Sequence, residues 1–101
     1  MEPFKRKIGW DRKATQQLKQ LYTFIYKSSP QNAEKVRNDI VAIIDRIALH
    51  PEIYSPDKYK ANNDGSFRAF EKHRYRIAYR VFETEIRVLQ IRHTSMEPLL
   101  Y

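Results

Sequence analysis

The sequence predicts an α+β domain in which a hairpin of two amphipathic helices lies across one face of a small, twisted, largely antiparallel sheet. Three observations predict it. Apolar residues recur at helical spacing over two consecutive stretches between Asp11 and His50; Tyr75, Ile77, Tyr79 and Val81 alternate with Arg74, Arg76, Ala78, Arg80 and Phe82; and two strand-like runs, Phe67–Lys72 and Glu85–His93, flank that alternation through short turns. Helices that are apolar along one stripe have to bury it, and the sheet is the only partner available. The expected order is an N-terminal strand, an α-helical hairpin, then a three-stranded antiparallel meander, all in one sheet. A chain of 101 residues is close to the modal size of one domain and leaves no room for a second core, so 1–101 is read as a single domain.

Residues 4–10, where Lys5 and Lys7 alternate with Arg6, Ile8 and Trp10, supply the first strand. Asp11 stands where an N-cap carboxylate would satisfy orphan backbone N–H groups. Ala14, Leu18, Leu21, Tyr22 and Ile25 then mark the buried stripe of a helix ending near Lys27. Ser29 and Pro30 stop and restart the chain, since serine caps well and proline at the first helical position has no N–H to leave unpaired. The second stripe is Ala33, Val36, Ile40, Ile43, Ile44 and Ile47, closed by Pro51. Residues 51–66, with two prolines and the Asn62-Asn63-Asp64-Gly65 cluster, read as a loop. The strand turns are expected at Lys72-His73 and Glu83-Thr84, and residues 94–101, with Pro98, read as a tail.

Composition narrows the function classes. A hydrophobic content of 42%, with seven Tyr, five Phe and one Trp, is enough for a packed core and argues against disorder. Nineteen Lys and Arg against twelve Asp and Glu give a net charge of +7, which favours nucleic acid or an acidic protein as partner. With no cysteine, and with His50, His73 and His93 scattered, no disulfide, structural metal or cofactor is expected. The charged stretch 1–7 lacks the apolar run of a leader and no segment reaches the ~20 apolar residues of a membrane span, so a cytoplasmic protein with no membrane partner is the expectation.

The meander carries Arg68, Arg74, Arg76, Arg80, Arg87 and Arg92, with Arg76 and Arg80 sharing one face of their strand. Arg74, Arg80 and Arg87 read as solvated strand positions. Arg76 is either a functional cation or the partner of a local carboxylate such as Glu71. Tyr59, Phe70 or Tyr101 would suit base stacking beside such cations.

The order of elements, Trp10-Asp11 and Ala14 opening the first helix, Ser29-Pro30 and Ala33 opening the second, Phe67-Arg68-Ala69-Phe70, Tyr75-Arg76-Ile77-Ala78-Tyr79-Arg80-Val81 and the ending Ile91-Arg92-His93-Thr94 together resemble the RelE/ParE superfamily of toxins, and within it the plasmid stabilisation toxins. The resemblance implies the toxin of a type II toxin–antitoxin pair, inhibited by an acidic antitoxin that folds on binding. Two mechanisms come with the fold. In the RelE branch the toxin is an mRNA interferase, a ribosome-associated endoribonuclease that directs a 2′-hydroxyl at the adjacent phosphate without a metal. That chemistry needs a base, a cation for the charge on phosphorus and an acid for the leaving oxygen. The resemblance gives the cation role to Arg76 with Arg68 as helper, the base role to Asp57 and the acid role to His93, while Lys58, Lys60 and Arg92 would hold RNA. In the ParE branch the toxin poisons DNA gyrase by protein contact, and the arginines and residues 94–101 are interaction surface. A third reading is an inactive relative that only binds the antitoxin. The basic sheet face places mRNA cleavage ahead of gyrase inhibition.

Overall fold

In the computed structural model, which describes residues 4–101, the chain runs β1 (Lys7–Trp10), α1 (Arg12–Tyr26), α2 (Pro30–Leu49), β2 (Phe67–Lys72), β3 (Tyr75–Val81) and β4 (Glu85–His93). Met1, Glu2 and Pro3, the start of the charged stretch expected to carry no leader, lie outside the described residues. Among the described residues no helix is long and apolar enough to cross a membrane.

The Ser29 side chain accepts the Asn32 amide, with Pro30 at the start of α2, as the sequence requires of a cap. Asp11 occupies the N-cap position of α1 in extended conformation, but its carboxylate makes no capping bond. It pairs instead with the Arg87 guanidinium, because a full positive charge outbids the partial charge of a helix end. The first strand is also shorter than residues 4–10. The Arg6 amide is drawn 2.9 Å to the Ala48 carbonyl at the end of α2, so sheet pairing starts at Lys7.

The sheet order is β1-β4-β3-β2, with β1 parallel to β4 and the other pairs antiparallel, so the meander and its added N-terminal strand form one mixed sheet. Both helices cover one face of it. Leu21 from α1 and Val36, Ile40, Ile44 and Ile47 from α2 pack on Phe70, Ile77, Tyr79, Ile86, Val88 and Ile91 from the strands. Tyr79, 1% exposed, sends its hydroxyl 3.1 Å to the Pro51 carbonyl, and burial pushes its pKa up to about 12.

Alternation leaves the other face to Phe67, Ala69 and Glu71 of β2, paired with Arg80, Ala78 and Arg76 of β3. Across β3 and β4 the register shifts between Ala78 and Tyr79, where Ala78 faces Gln90, Tyr79 faces Val88, and Leu89 has no partner. This bulge moves the buried positions of β4 from even (Ile86, Val88) to odd (Ile91), so Arg87 and Arg92, five residues apart, end on the same open face.

The β2–β3 turn falls one residue later than the sequence suggested, on His73 and Arg74, with φ of 52° and 67°. Both residues sit in the left-handed region that a two-residue hairpin turn demands, without the glycine or asparagine that adopts it cheaply. His73 is held there by its Nε2, 2.6 Å from Asp39 Oδ2 on α2. Arg74 has no such tie and is exposed. Arg74→Gly is therefore expected to stabilise the fold by about 0.5–1 kcal/mol, read as a raised urea midpoint with unchanged m-value.

Candidate functional site

The loop of residues 51–66 is ordered by its own polar side chains. Asn63 Oδ1 accepts the Gly65 and Phe67 amides at 2.9 and 3.2 Å, while its Nδ2 donates to the Asp57 and Phe67 carbonyls at 3.2 and 2.8 Å. Gly65, at φ +96°, supplies the left-handed residue this clamp needs. The Asp57 amide donates to the Phe67 carbonyl at 2.8 Å, and Pro56 bridges to Arg68, so the loop lies along the outer edge of β2.

The clamp delivers Asp57 into the protein, where it is 3% exposed, the one charged residue buried among the described residues. Its Oδ1 accepts from Arg76 Nη2 at 2.8 Å and from the Tyr59 amide at 3.0 Å; its Oδ2 accepts from the Tyr101 hydroxyl at 2.7 Å. Arg76 also donates from Nη1 to Glu71 at 2.9 Å and lies over the Tyr59 ring at 4.8 Å from its centroid. Burial alone would raise the Asp57 pKa. The Tyr101 hydroxyl, the Arg76 guanidinium and the Tyr59 amide outweigh it and hold the carboxyl below its ordinary value. Burial and the Asp57 carboxylate both push the Tyr101 phenol up.

Residues 94–101 are not a free tail. The Thr94 amide donates to the Arg74 carbonyl at 2.8 Å, Arg92 Nε donates to the Glu97 carbonyl at 2.7 Å, and Tyr101 exchanges backbone bonds with the loop, to the Tyr59 carbonyl at 3.2 Å and from the Ala61 amide at 2.6 Å. The segment thereby crosses the open face and roofs a small cavity of about 60 Å³, between Asp57, Arg76, Arg92 and His93 on one side and Met96 and Leu99 on the other. No periodic signal marks a segment that docks on a loop, which is why the sequence reading left it loose.

The residues singled out from sequence are thus only partly brought together. Asp57, Arg76, Arg92 and His93 share the cavity. Arg68 does not: it stands opposite Tyr79 on the helix-side face, its Nη1 2.6 Å from the Tyr54 carbonyl, because strand alternation sends residues 68 and 76 to opposite faces. His93 Nδ1 accepts the Ser95 amide at 3.1 Å and lies 2.7 Å from the Ser95 hydroxyl, which assigns the proton of the neutral ring to Nε2. The ring stands edge-on to Tyr75, with centroids 5.1 Å apart. Lys58 and Lys60 lie outside the cavity, over the rings of Tyr59 and of Phe67 and Tyr101 respectively. Among the described residues no three His, Asp or Glu side chains are grouped to hold a metal.

As it stands, the arrangement binds charge to charge. Asp57 Oδ1 receives two donors and Oδ2 one, and each terminal nitrogen of Arg76 faces a carboxylate, so the two groups are engaged with each other and with their neighbours. Arg76→Ala would leave a buried carboxylate with only two donors and is expected to cost about 2–3 kcal/mol in denaturant unfolding. Arg76→Lys, which keeps the charge, should recover part of that. Because the folded-state pKa of Asp57 is depressed, its contribution is complete above the unfolded value of about 3.9 and is lost as pH falls through the lower folded value. Tyr101→Phe removes one of the lowering donors. It should therefore be less stable than the parent above about pH 4, with the gap closing as pH falls and Asp57 protonates, as read from unfolding curves between about pH 2 and 6.

Two solved structures share this architecture over most of the chain. The structure superposes on a chain of the chromosomal ParDE toxin–antitoxin system of P. aeruginosa with a TM-score of 0.68 and 22% identity, covering 89% of this chain and 97% of that one. It superposes on a chain of the Mycobacterium tuberculosis RelBE2 toxin–antitoxin complex with a TM-score of 0.60 and 15% identity, covering 92% and 93%. At these identities the likeness establishes the fold. No curated protein matches the sequence. A family model does: the ParE toxin of the type II toxin–antitoxin system parDE matches residues 8–98, nearly the whole chain, and the chain belongs to that family of toxins.

Proposed function

We propose that this toxin arrests growth by protein contact with DNA gyrase, the ParE-type mechanism, and that its antitoxin is an acidic chain that folds on binding. The observation that carries the reading is the closure of the Asp57–Arg76 pair by Tyr101. Metal-free RNA cleavage needs a base and a cation turned toward the substrate, and here each is turned to the other and to neighbours beneath residues 94–101. Residues 94–101 instead turn apolar side chains outward, with Met96 51%, Leu99 39% and Leu100 76% exposed, which is the character of a contact surface. The net charge of +7 suits an acidic antitoxin.

One observation favours mRNA cleavage as a second reading: Asp57, Arg76, Arg92 and His93 line one cavity, so lifting residues 94–101 would present a carboxylate, two guanidiniums and an imidazole together.

The two readings separate in one culture. On induced expression in a bacterial host without antitoxin, the expected outcome is growth arrest with altered plasmid supercoiling or cleaved DNA, intact transcripts by primer extension, and relief of arrest by Leu100→Glu. Discrete new RNA ends with normal supercoiling would replace this reading with the nuclease one.

A further inference from the structure

Residues 94–101 lack the hydrogen-bonded repeat that holds a helix or a strand in place, yet they carry Met96, Leu99 and Leu100 in the open. Such a segment is ordered only where something outside it fixes it, because each residue otherwise keeps its conformational freedom. The fixed points are unevenly spread. At the start, the Thr94 amide donates to the Arg74 carbonyl at 2.8 Å, the Met96 amide to the His93 carbonyl at 3.1 Å, and Arg92 Nε to the Glu97 carbonyl at 2.7 Å. Pro98 has no N–H, and the backbones of Leu99 and Leu100 make no hydrogen bond among the described residues. The next fixed point is Tyr101. Leu100, 76% exposed, therefore sits on a span whose far end depends on one residue.

Tyr101 is seated by more than its backbone. Its ring stands edge-on to Phe67 with centroids 6.1 Å apart, Lys60 Nζ lies 5.5 Å from its centroid, and its hydroxyl donates to Asp57 Oδ2 at 2.7 Å. A hydrogen bond to an ionised acceptor is of the stronger kind. The acceptor is also held in place, since Arg76 and the Tyr59 amide take the other carboxylate oxygen. The hydroxyl thus fastens the end of an irregular segment to a carboxylate that is tied both to β3 and to its own loop.

We propose that Tyr101 is a latch that preorganises the surface formed by Met96, Leu99 and Leu100. With its hydroxyl on Asp57 the segment is closed and offers these side chains in one arrangement, suited to an apolar recess on the target; without it the segment is loose. The proposal rests on the gyrase reading and adds to it a positioning residue that acts through Leu99 and Leu100. A segment already ordered gives up less freedom on association than one that must order on contact, so the closed form binds more tightly. The observed affinity then scales with the fraction of molecules that are closed.

Tyr101→Phe keeps the ring against Phe67 and removes only the hydroxyl. In the full chain, amide exchange followed by NMR is expected to quicken about tenfold at Tyr101 and Ala61, whose backbones are bonded to each other, when the hydrogen bond to the carboxylate is lost. Binding to immobilised purified gyrase should weaken about fivefold, and by no more than the factor seen in exchange, because the latch changes only the closed fraction. Leu100→Glu should weaken binding with the exchange at Tyr101 and Ala61 unchanged. Ile44→Val, which lowers stability from the helix-side core, should leave affinity at the parental value while the chain stays folded. Unchanged exchange in Tyr101→Phe overturns the latch. Quickened exchange with parental affinity overturns its role in the contact, and tighter binding overturns it too, since the segment would then be a cover. Absence of binding by the parent chain removes the gyrase reading itself, and the latch's role in it falls at the same time.

Discussion

The buried carboxylate of Asp57 is the constraint around which half of this molecule is arranged. An ionised group taken out of water has to recover its hydration from the protein, and Asp57 does so from three directions: Arg76 on β3, the Tyr59 amide in its own loop, and the Tyr101 hydroxyl from residues 94–101. Each donor belongs to a different part of the chain. One side chain therefore ties together a strand, a loop with no regular structure and a segment beyond the last strand. The loop can meet this demand because Asn63 makes four hydrogen bonds, two within the loop and two to Phe67 of β2, which replace the packing that an irregular stretch lacks.

The two faces of the sheet hold by different physics. On the helix side, burial of isoleucines, Val36, Phe70 and Tyr79 removes apolar area from water, a term that carries no titratable charge. On the open side the currency is charge against charge and charge against ring, in which Arg76, Arg80 and Lys60 all lie over aromatic faces. The fold is set by the first face, and the second carries the charges, some paired within the chain and some not.

Much of the fold was legible because it rests on periodicity. Ala33, Val36, Ile40, Ile44 and Ile47 recur at helical spacing and are all buried, and Ile77 and Tyr79 alternate as a half-buried strand must. The site was legible only in pieces. Resemblance picked out Asp57, Arg76, Arg92 and His93, which do share a cavity, but it grouped Arg68 with Arg76, although a register of Arg68 with Tyr79 puts it on the other face. Register depends on where a turn closes, and His73-Arg74 carries none of the residues that announce a left-handed turn. Tyr101 was visible as an aromatic but not as a donor to Asp57, since nothing local brings together residues 44 apart. The Asp11 cap failed for a related reason, a distant arginine competing with a neighbouring backbone.

The unpartnered Leu89 behaves as a phase shift written into β4. Upstream of it the strand shows odd-numbered side chains to the open face, and downstream it shows even ones. A chain without that extra residue would keep every other side chain, yet turn either Arg87 or Arg92 into the core and bring Ile86 or Ile91 into water. Within this architecture the strand thus tolerates exchange of its letters far better than a change in their number, and the electrostatic character of the open face is inherited through length as much as through composition.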